Sequence, residues 1–226
     1  MKKVVKIEDK VKEFFARLGE PETEKDSKKK EVNLYNEAGL QYELALYLGT
    51  DEDLCSEIEI FLEYPVTKLK PRAPDFDFIK KEIDIFIKHK DERVVIELKF
   101  PRSNAGFPAV IYNAVKDVRF GEQIIDKGKA DRFITIFITD HKSVGNGNTN
   151  HIYELFNSNY PKACIKSIKI DDTYPKFMKD HNHEGGRYES IELDKKYCFE
   201  WTKVTHNEEV FQYYIISSDS NQTSCK

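Results

Sequence analysis

Cysteine is scarce in this chain, and its four cysteines show no CxxC pairing. Cys55, Cys164, Cys198 and Cys225 are too scattered for a zinc site or a disulfide framework, so we expect free, buried thiols. Long apolar runs are also missing, and none approaches the roughly 20 residues that a membrane-crossing helix needs. The opening stretch MKKVVKIEDK lacks the apolar core of a signal peptide. We therefore expect a cytoplasmic protein without membrane association.

The remaining composition is ordinary for a globular protein. The 226 residues are 34% charged and 39% hydrophobic, which suits one sizeable domain or one domain with an appended lobe. The formal net charge of −4 argues against non-specific coating of nucleic acid, but it does not exclude a local basic groove. Acidic residues that hold a metal lower this total without changing the surface that a substrate meets.

Hydrophobic periodicity divides the chain into three parts. Residues 1–32 are predicted to form a short amphipathic helix and a charged linker. Residues 33–142 follow the order helix, three-strand meander, helix, strand, which predicts an α/β core with a parallel strand reached through a crossover helix. Residues 143–226 contain alternating runs, which predict a β-rich antiparallel extension packed on that core.

The most informative stretch is EIDIFIKHKDERVVIELKF, residues 82–100. It predicts two strands joined by a turn at Lys90 and Asp91. One face of this hairpin is then wholly apolar, with the facing pairs Ile83–Leu98, Ile85–Ile96 and Ile87–Val94. A slip of one residue would disrupt both faces, so the register is well specified.

The other face of the hairpin carries charge. Asp84 is predicted to face Glu97, and Glu82 to face Lys99. Directly facing residues have Cβ atoms roughly 4.5–5.5 Å apart, so two facing carboxylates repel each other. A divalent cation between them would relieve the repulsion, and so would Lys99, which lies two residues along on the same face.

An aspartate on one strand and E-x-K on the next, between a Glu-bearing helix and a helix–strand pair, resembles the PD-(D/E)XK nuclease superfamily. The closer likeness is to its compact bacterial restriction-endonuclease-like members. NEAGLQYELALYL (residues 36–48) is similar to their first helix, and residues 113–140 are similar to their second helix and fourth strand. YCFEWTKV and FQYYIIS are similar to their tail, so the resemblance covers most of the chain from residue 33 on. Ile83 stands where the motif proline would precede the aspartate.

The resemblance implies a restriction-endonuclease-like fold and a Mg²⁺-dependent DNA endonuclease of the restriction or host-defence type, with Mn²⁺ as a substitute. Such metals hold the scissile phosphate and activate the attacking water through carboxylate ligands. Asp84 and Glu97 would bind the metal, joined by the backbone carbonyl of Leu98. Lys99 would orient or deprotonate the water, or stabilise the charge that develops on the phosphorane. The alternative for Lys99 is a surface cross-strand salt bridge with Glu82 or Glu97.

One helix glutamate is expected to complete the site. Glu37 lies on the predicted buried stripe of its helix, where a carboxylate needs a partner such as a metal-bound water. The resemblance also places the family's helix glutamate at Glu37. Glu43 lies off that stripe, and it remains a second candidate. Gln41, one turn after Glu37, is a candidate for supporting the site or contacting DNA.

Candidate DNA contacts come from basic and polar residues that flank the motif, although each alone is more often an ordinary solvated charge. They are Lys68, Lys70 and Arg72 before the hairpin, Arg102, Ser103 and Asn104 after it, and Lys116 and Arg119 on the following helix.

Two other functions remain open at this point. One is a structure-selective DNA repair or junction nuclease with the same core. The other is an inactive nuclease-fold module that binds nucleic acid or protein, which should lack divalent-cation binding. A twofold homodimer would allow two sites to cut both strands, although no residue pattern specifies the interface.

Overall fold

The structure is a computed structural model, which describes residues 6–19, 32, 34–69, 78–102, 107–141, 162–168 and 190–218. Within these residues the helices are α1 (Ile7–Arg17), α2 (Glu37–Thr50) and α3 (Phe107–Asp126). The strands are β1 (Ile58–Pro65), β2 (Glu82–His89), β3 (Glu92–Lys99), β4 (Arg132–Thr139), β5 (Lys162–Ile168), β6 (Ile191–Glu200), β7 (Thr202–His206) and β8 (Glu209–Ser217). In the described part of the chain, no helix combines the length and apolarity that crossing a bilayer requires.

Six strands form a mixed, mostly antiparallel sheet in the order β1-β2-β3-β4-β8-β7, which makes the protein an α/β protein. β3 and β4 are its parallel pair, and α3 connects them as the predicted crossover helix. The C-terminal strands pair antiparallel, as predicted, and β8 and β7 continue the central sheet beyond β4. β5 and β6 form a separate two-stranded sheet. α1 occupies the predicted N-terminal helix, whereas most of the charged linker lies outside the described residues.

The sheet separates two apolar cores, so the fold has three layers. α1 and α2 cover one face of the sheet, and α3 with the two-stranded sheet covers the other. The core under α1 and α2 includes the sheet residues Ile85, Ile87, Val94, Ile96, Leu98, Ile134, Ile136 and Ile138. The core under α3 includes the sheet residues Ile83, Phe86, Val95, Phe133, Phe137, Tyr214 and Ile216.

The predicted hairpin register is confirmed from Ile85–Ile96 to His89–Glu92, with the turn at Lys90 and Asp91. Lys90 takes a left-handed conformation with φ of 56°, which a tight two-residue hairpin turn requires.

One member of the predicted apolar face is placed wrongly by the sequence. Ile83 packs in the core under α3, whereas Ile85 and Leu98 pack under α1 and α2. The reason lies at Asp84, whose Oδ2 accepts the backbone N–H of Leu98 at 2.7 Å. With a side chain bonded at this point in the sheet, β2 departs from simple alternation and Ile83 turns to the other face.

The expectation of free, buried cysteines is wrong. Cys164 and Cys198 form a disulfide between β5 and β6, where they are directly paired. Facing positions on antiparallel strands bring Cβ atoms within reach of a disulfide, and the separation of 34 residues in sequence conceals that proximity. Cys55 is free but exposed, and Cys225 lies outside the described residues.

Candidate active site

The site lies where the start of β2 is next to the end of β3, in contact with α3. Asp84 is half-buried, and its carboxylate is held by the Leu98 N–H. The Glu97 side chain is only 1% exposed, although it is a carboxylate on a strand of apolar neighbours. The two acids predicted to share a site therefore lie on adjacent strands, at the point where the strands are bridged by a side chain.

Lys99 lies among carboxylates, with its side chain 18% exposed. Its Nζ donates to Leu98 O at 2.7 Å and lies 3.1 Å from Asp117 Oδ2. Glu37 Oε1 is 3.7 Å away and Asp84 Oδ2 is 4.0 Å away. Lys99 is thus a largely buried member of the site, and the alternative of a surface pair with Glu82 or Glu97 does not describe it.

Glu37 reaches the site from the start of α2. The Asn36 side chain accepts from Gly39 N at 2.7 Å and caps the helix, which makes Glu37 its first residue. Glu37 Oε2 accepts the Phe100 N–H at 2.9 Å. Burial among the site groups raises the pKa of Glu37, and Lys99 and the Phe100 N–H oppose this shift.

As predicted, Glu37 lies on the helix stripe that the buried residues Leu40, Leu44 and Leu48 form, at the N-terminal end of that stripe. Burial there is partial, because the side chain is 44% exposed. Its partners are Phe100 N–H and Lys99.

Gln41 supports Asp84 from α2. Its side chain is buried, and Nε2 donates both to Asp84 O and, at 2.9 Å, to Glu63 Oε1. The predicted supporting role of Gln41 therefore has a geometric basis. Glu43 is half-buried two residues further on, which rotates it about 200° around the helix from Gln41.

Sequence reasoning missed two members of the site. Lys80, just before β2, pairs with Glu97 Oε2 and lies 3.0 Å from Asp117 Oδ1 and 4.0 Å from Asp84 Oδ1. Asp117 is buried on α3, in line with the buried Ala114 and Gly121. A carboxylate on an apolar helix stripe is costly without a partner, so Asp117 could have been found from the sequence. Lys80 stands in a charged run and gave no such signal.

We call these residues the strand-end cluster: Glu37, Lys80, Asp84, Glu97, Lys99 and Asp117. With all groups ionised, four carboxylates face two ammonium groups, which leaves two negative charges uncompensated. Burial raises the pKa of Glu97 well above its ordinary value, Asp117 adds to the shift and Lys80 opposes it. The two ammonium groups therefore do not fully compensate Glu97 and Asp117, which are the most buried carboxylates of the cluster.

The pKa values of the two lysines are also raised, which for an amine favours the charged form. Burial by itself would lower the pKa of Lys80, but the charges of Asp117, Glu97 and Asp84 outweigh it and raise the pKa. The pKa of Lys99 is also raised, because Asp117, Glu37 and Asp84 outweigh burial and the repulsion from Lys80. Both amines are accordingly held as ammonium ions.

The donors of the cluster fit a divalent cation in chemistry. Glu97 Oε1 is buried and has no hydrogen-bond partner, and Asp117 Oδ2 lies near Lys99 without hydrogen-bond geometry. As they stand, no three Asp, Glu, His or Cys side chains in the described ranges converge closely enough to hold a metal. Lys80 and Lys99 lie between the carboxylates, so a cation would require an ammonium group to move.

Most of the basic residues predicted to contact DNA are engaged within the fold or lie outside its described part. Arg102 donates to Leu34 O at 2.8 Å and to Asp140 and Glu209, and its guanidinium lies 5.7 Å from the Phe211 ring centroid.

Arg119 pairs with Glu122 at 3.0 Å and with Asp194 at 2.7 Å, which joins α3 to β6. Lys68 is exposed and Lys116 is half-buried. The other predicted contacts lie outside the described residues: Lys70, Arg72, Ser103 and Asn104.

No family model matches this chain, and comparison with curated proteins and with solved structures found no match either. Function is therefore inferred from the residues of the strand-end cluster.

Proposed function

We propose that this protein is a Mg²⁺-dependent DNA endonuclease of the PD-(D/E)XK type, with Mn²⁺ as a substitute. The observation that carries the proposal is Glu97 Oε1, a buried carboxylate oxygen without a hydrogen-bond partner in a cluster with surplus negative charge. A buried charge without compensation is costly, so such an arrangement favours a bound cation. A divalent cation would balance the two uncompensated charges.

The order of elements supports the same proposal. Helix α2, the β1-β2-β3 meander, helix α3 and the parallel strand β4 follow the order expected of a restriction-endonuclease-like core. Asp84 comes from β2, Glu97 and Lys99 come from β3, and Glu37 comes from the helix before them. With Asp117 of α3, four elements thus contribute to one largely buried polar cluster, and a cluster of this kind that is only partly satisfied is costly.

Asp84 and Glu97 are the proposed cation ligands, with the Leu98 carbonyl beside them and Glu37 acting through a water. The bound cation would supply Lewis acidity toward the scissile phosphate and lower the pKa of the attacking water. Leu98 O accepts a hydrogen bond from Lys99 Nζ at 2.7 Å, so the proposed ligand carbonyl and the proposed catalytic amine are in direct contact. Gln41 fixes the backbone of Asp84, which keeps the carboxylate oriented.

Lys99 supplies positive charge to the reacting phosphate. Its ammonium group is held by Leu98 O and by Asp117, at 2.7 Å and 3.1 Å. A fixed ammonium in a largely buried position stabilises negative charge as it grows on phosphate oxygens. A raised pKa favours this electrostatic role over that of a general base.

DNA is the proposed substrate, and Lys68 and Lys116 are the described basic candidates for phosphate contact that remain after the fold uses Arg102 and Arg119. A restriction or host-defence role, with two copies arranged as a twofold dimer to cut both strands, is part of the proposal.

The proposal is tested by incubating purified protein with supercoiled plasmid, linear duplex and a four-way junction, each with Mg²⁺, Mn²⁺ or chelator. We expect Mg²⁺- and Mn²⁺-dependent cleavage that is lost in Asp84→Asn and retained in the turn variant Asp91→Asn. Cleavage confined to the junction would favour the structure-selective nuclease. DNA binding without cleavage and without binding of any divalent cation would identify an inactive binding module and overturn the proposal.

A further inference from the structure

Lys80 is positioned as a cation among three carboxylates. Its Nζ pairs with Glu97 Oε2 and lies 3.0 Å from Asp117 Oδ1 and 4.0 Å from Asp84 Oδ1. The side chain is 21% exposed and enters from the segment before β2, so it can leave the cluster without breaking a strand.

The position of Lys80 conflicts with that of a bound divalent ion. Asp84 and Glu97 are the two carboxylates proposed to hold the ion, and both are counter-ions of Lys80. Two positive groups competing for the same carboxylate repel strongly in a buried setting. An ion at the unpaired Oε1 of Glu97 would therefore lie close to the ammonium that Oε2 holds, and it would bind more tightly once that ammonium moves away.

α3 provides a second position for the same ammonium group. Asp117 already lies 3.0 Å from Nζ, and the ring centroid of Phe120, three residues along α3, lies 5.7 Å from it. A carboxylate and an aromatic face are both favourable partners for an ammonium ion. Asp117 uses its two oxygens for the two lysines, with Oδ1 near Lys80 and Oδ2 3.1 Å from Lys99 Nζ.

We propose that Lys80 is an exchangeable internal cation, which neutralises Asp84 and Glu97 in the ion-free protein and withdraws toward Asp117 and Phe120 when a divalent ion binds. This inference rests on the proposed function, because it assumes that Asp84 and Glu97 hold the ion. Its consequence is an apparent ion affinity that is weaker than the carboxylates alone would give. The same lysine keeps the buried acids compensated before the ion arrives.

The test is calorimetric titration of the full chain with Mn²⁺, comparing wild type, Lys80→Gln and the exposed neighbour variant Lys81→Gln. We expect Lys80→Gln to bind Mn²⁺ about 5- to 150-fold more tightly, the range of ordinary coupling between sites. Lys81→Gln should match wild type. Without Mn²⁺, Lys80→Gln should melt at a lower temperature than wild type. Saturating Mn²⁺ should raise the melting temperature of Lys80→Gln by more than it raises that of wild type.

The outcomes separate this inference from the proposed function. If wild type binds Mn²⁺ and Lys80→Gln binds it equally or more weakly, Lys80 is not an exchangeable cation, and the nuclease proposal stands. If neither protein binds Mn²⁺, both proposals fail. Lys80→Met, which also lacks the charge, provides the same comparison should Lys80→Gln fail to fold.

Discussion

The backbone N–H of Leu98 donates a hydrogen bond of 2.7 Å to Asp84 Oδ2, so a side chain takes part in the hydrogen bonding between β2 and β3. The backbone carbonyl of the same aspartate accepts from Gln41 on α2. Asp84 is consequently fixed from two sides, beside Lys99 at 4.0 Å. A carboxylate that is held this way loses little further freedom when it binds an ion, which is the property expected of a preorganised ligand.

Removing the charge of either proposed ligand should abolish cleavage without unfolding the protein. Asp84→Asn keeps an oxygen that can accept the Leu98 N–H, and Glu97→Gln keeps the shape of a buried side chain. Melting temperatures in chelator should stay the same or rise, because repulsion among carboxylates falls. Single-turnover cleavage with Mg²⁺ provides the measurement, with Asp91→Asn as the control. Full activity in both site variants would place the active site elsewhere.

Changing Lys99 should affect turnover far more than DNA affinity. In the proposed mechanism, Lys99→Ala removes a positive charge that stabilises the reacting phosphate, so we expect a rate lower by about 10²–10⁴. Lys99→Arg retains the charge and should recover part of that loss if the role is electrostatic. The rate is measured by single-turnover cleavage, and affinity by DNA binding in Ca²⁺. Weaker binding with an unchanged rate at saturation would show that Lys99 only docks the substrate.

Substitutions of Arg102 and Lys68 should have different effects, because Arg102 is proposed to have a structural role and Lys68 to contact DNA. Arg102→Gln breaks the bond to Leu34 O and the pairs with Asp140 and Glu209, and should lower the free energy of unfolding by about 1–3 kcal/mol. Lys68→Gln should leave stability unchanged and reduce the slope of log affinity against log salt by about 0.9, the value for one phosphate contact. Denaturant unfolding and DNA binding at several salt concentrations check both. A reduced salt slope for Arg102→Gln together with a loss of stability for Lys68→Gln would make Arg102 the DNA-contacting residue and Lys68 the structural one.

The disulfide between Cys164 and Cys198 should contribute to stability. It closes a loop across a sequence separation of 34, for which chain entropy predicts about 4 kcal/mol as an upper value. Cys164→Ser, or a reductant, should therefore lower the denaturant midpoint. Thiol labelling of the unfolded, unreduced protein should spare these two cysteines. Labelling of both without reductant would show that the bond is absent.

The pairing of Arg93 with Asp131 should make stability depend on pH in the acid range. The Arg93 guanidinium, with the Arg93 N–H, holds the pKa of Asp131 below its ordinary value. A lowered pKa stabilises the fold above the unfolded pKa of about 3.9, and this contribution is lost as pH falls through the folded value. Asp131→Asn should thus be less stable than wild type at pH 7, with a gap that narrows below about pH 4.

The size of this gap is limited by exposure. The side chains of Arg93 and Asp131 are 40% and 43% exposed, so the pair contributes at most about 1 kcal/mol. Denaturant unfolding at pH 7 and pH 3 measures the gap, and a gap that does not change with pH would contradict the assigned pairing.

The alternation of apolar and polar residues was sufficient to predict the register of the β2–β3 hairpin. Side chains alternate with a period of two, and the turn at Lys90 and Asp91 joins the strands directly, so the facing pairs from Ile85–Ile96 onward follow from the sequence. The same alternation failed at Ile83, because the contact of Asp84 with Leu98 involves a side chain, and a periodic pattern contains no information about it.

Long-range contacts explain the residues that were missed or misassigned. Arg102 reads as a free basic residue because its partner Glu209 is 107 positions away. Cys164 and Cys198 read as separate thiols because only the pairing of β5 with β6 brings them together.

By itself, the sequence determined the α/β order of elements, the hairpin register and the candidates Asp84, Glu97, Lys99 and Glu37, because these depend on periodicity and on neighbours along the chain. Only the tertiary structure decided that Lys80 and Asp117 belong to the same cluster. Asp117 reaches it because α3 packs across the end of β3, and Lys80 reaches it because buried carboxylates attract the nearest cation. The apolar stripe of α3 marks Asp117 as a buried carboxylate, but its contacts with Lys80 and Lys99 arise from packing and electrostatics between separate segments, which a local pattern does not encode.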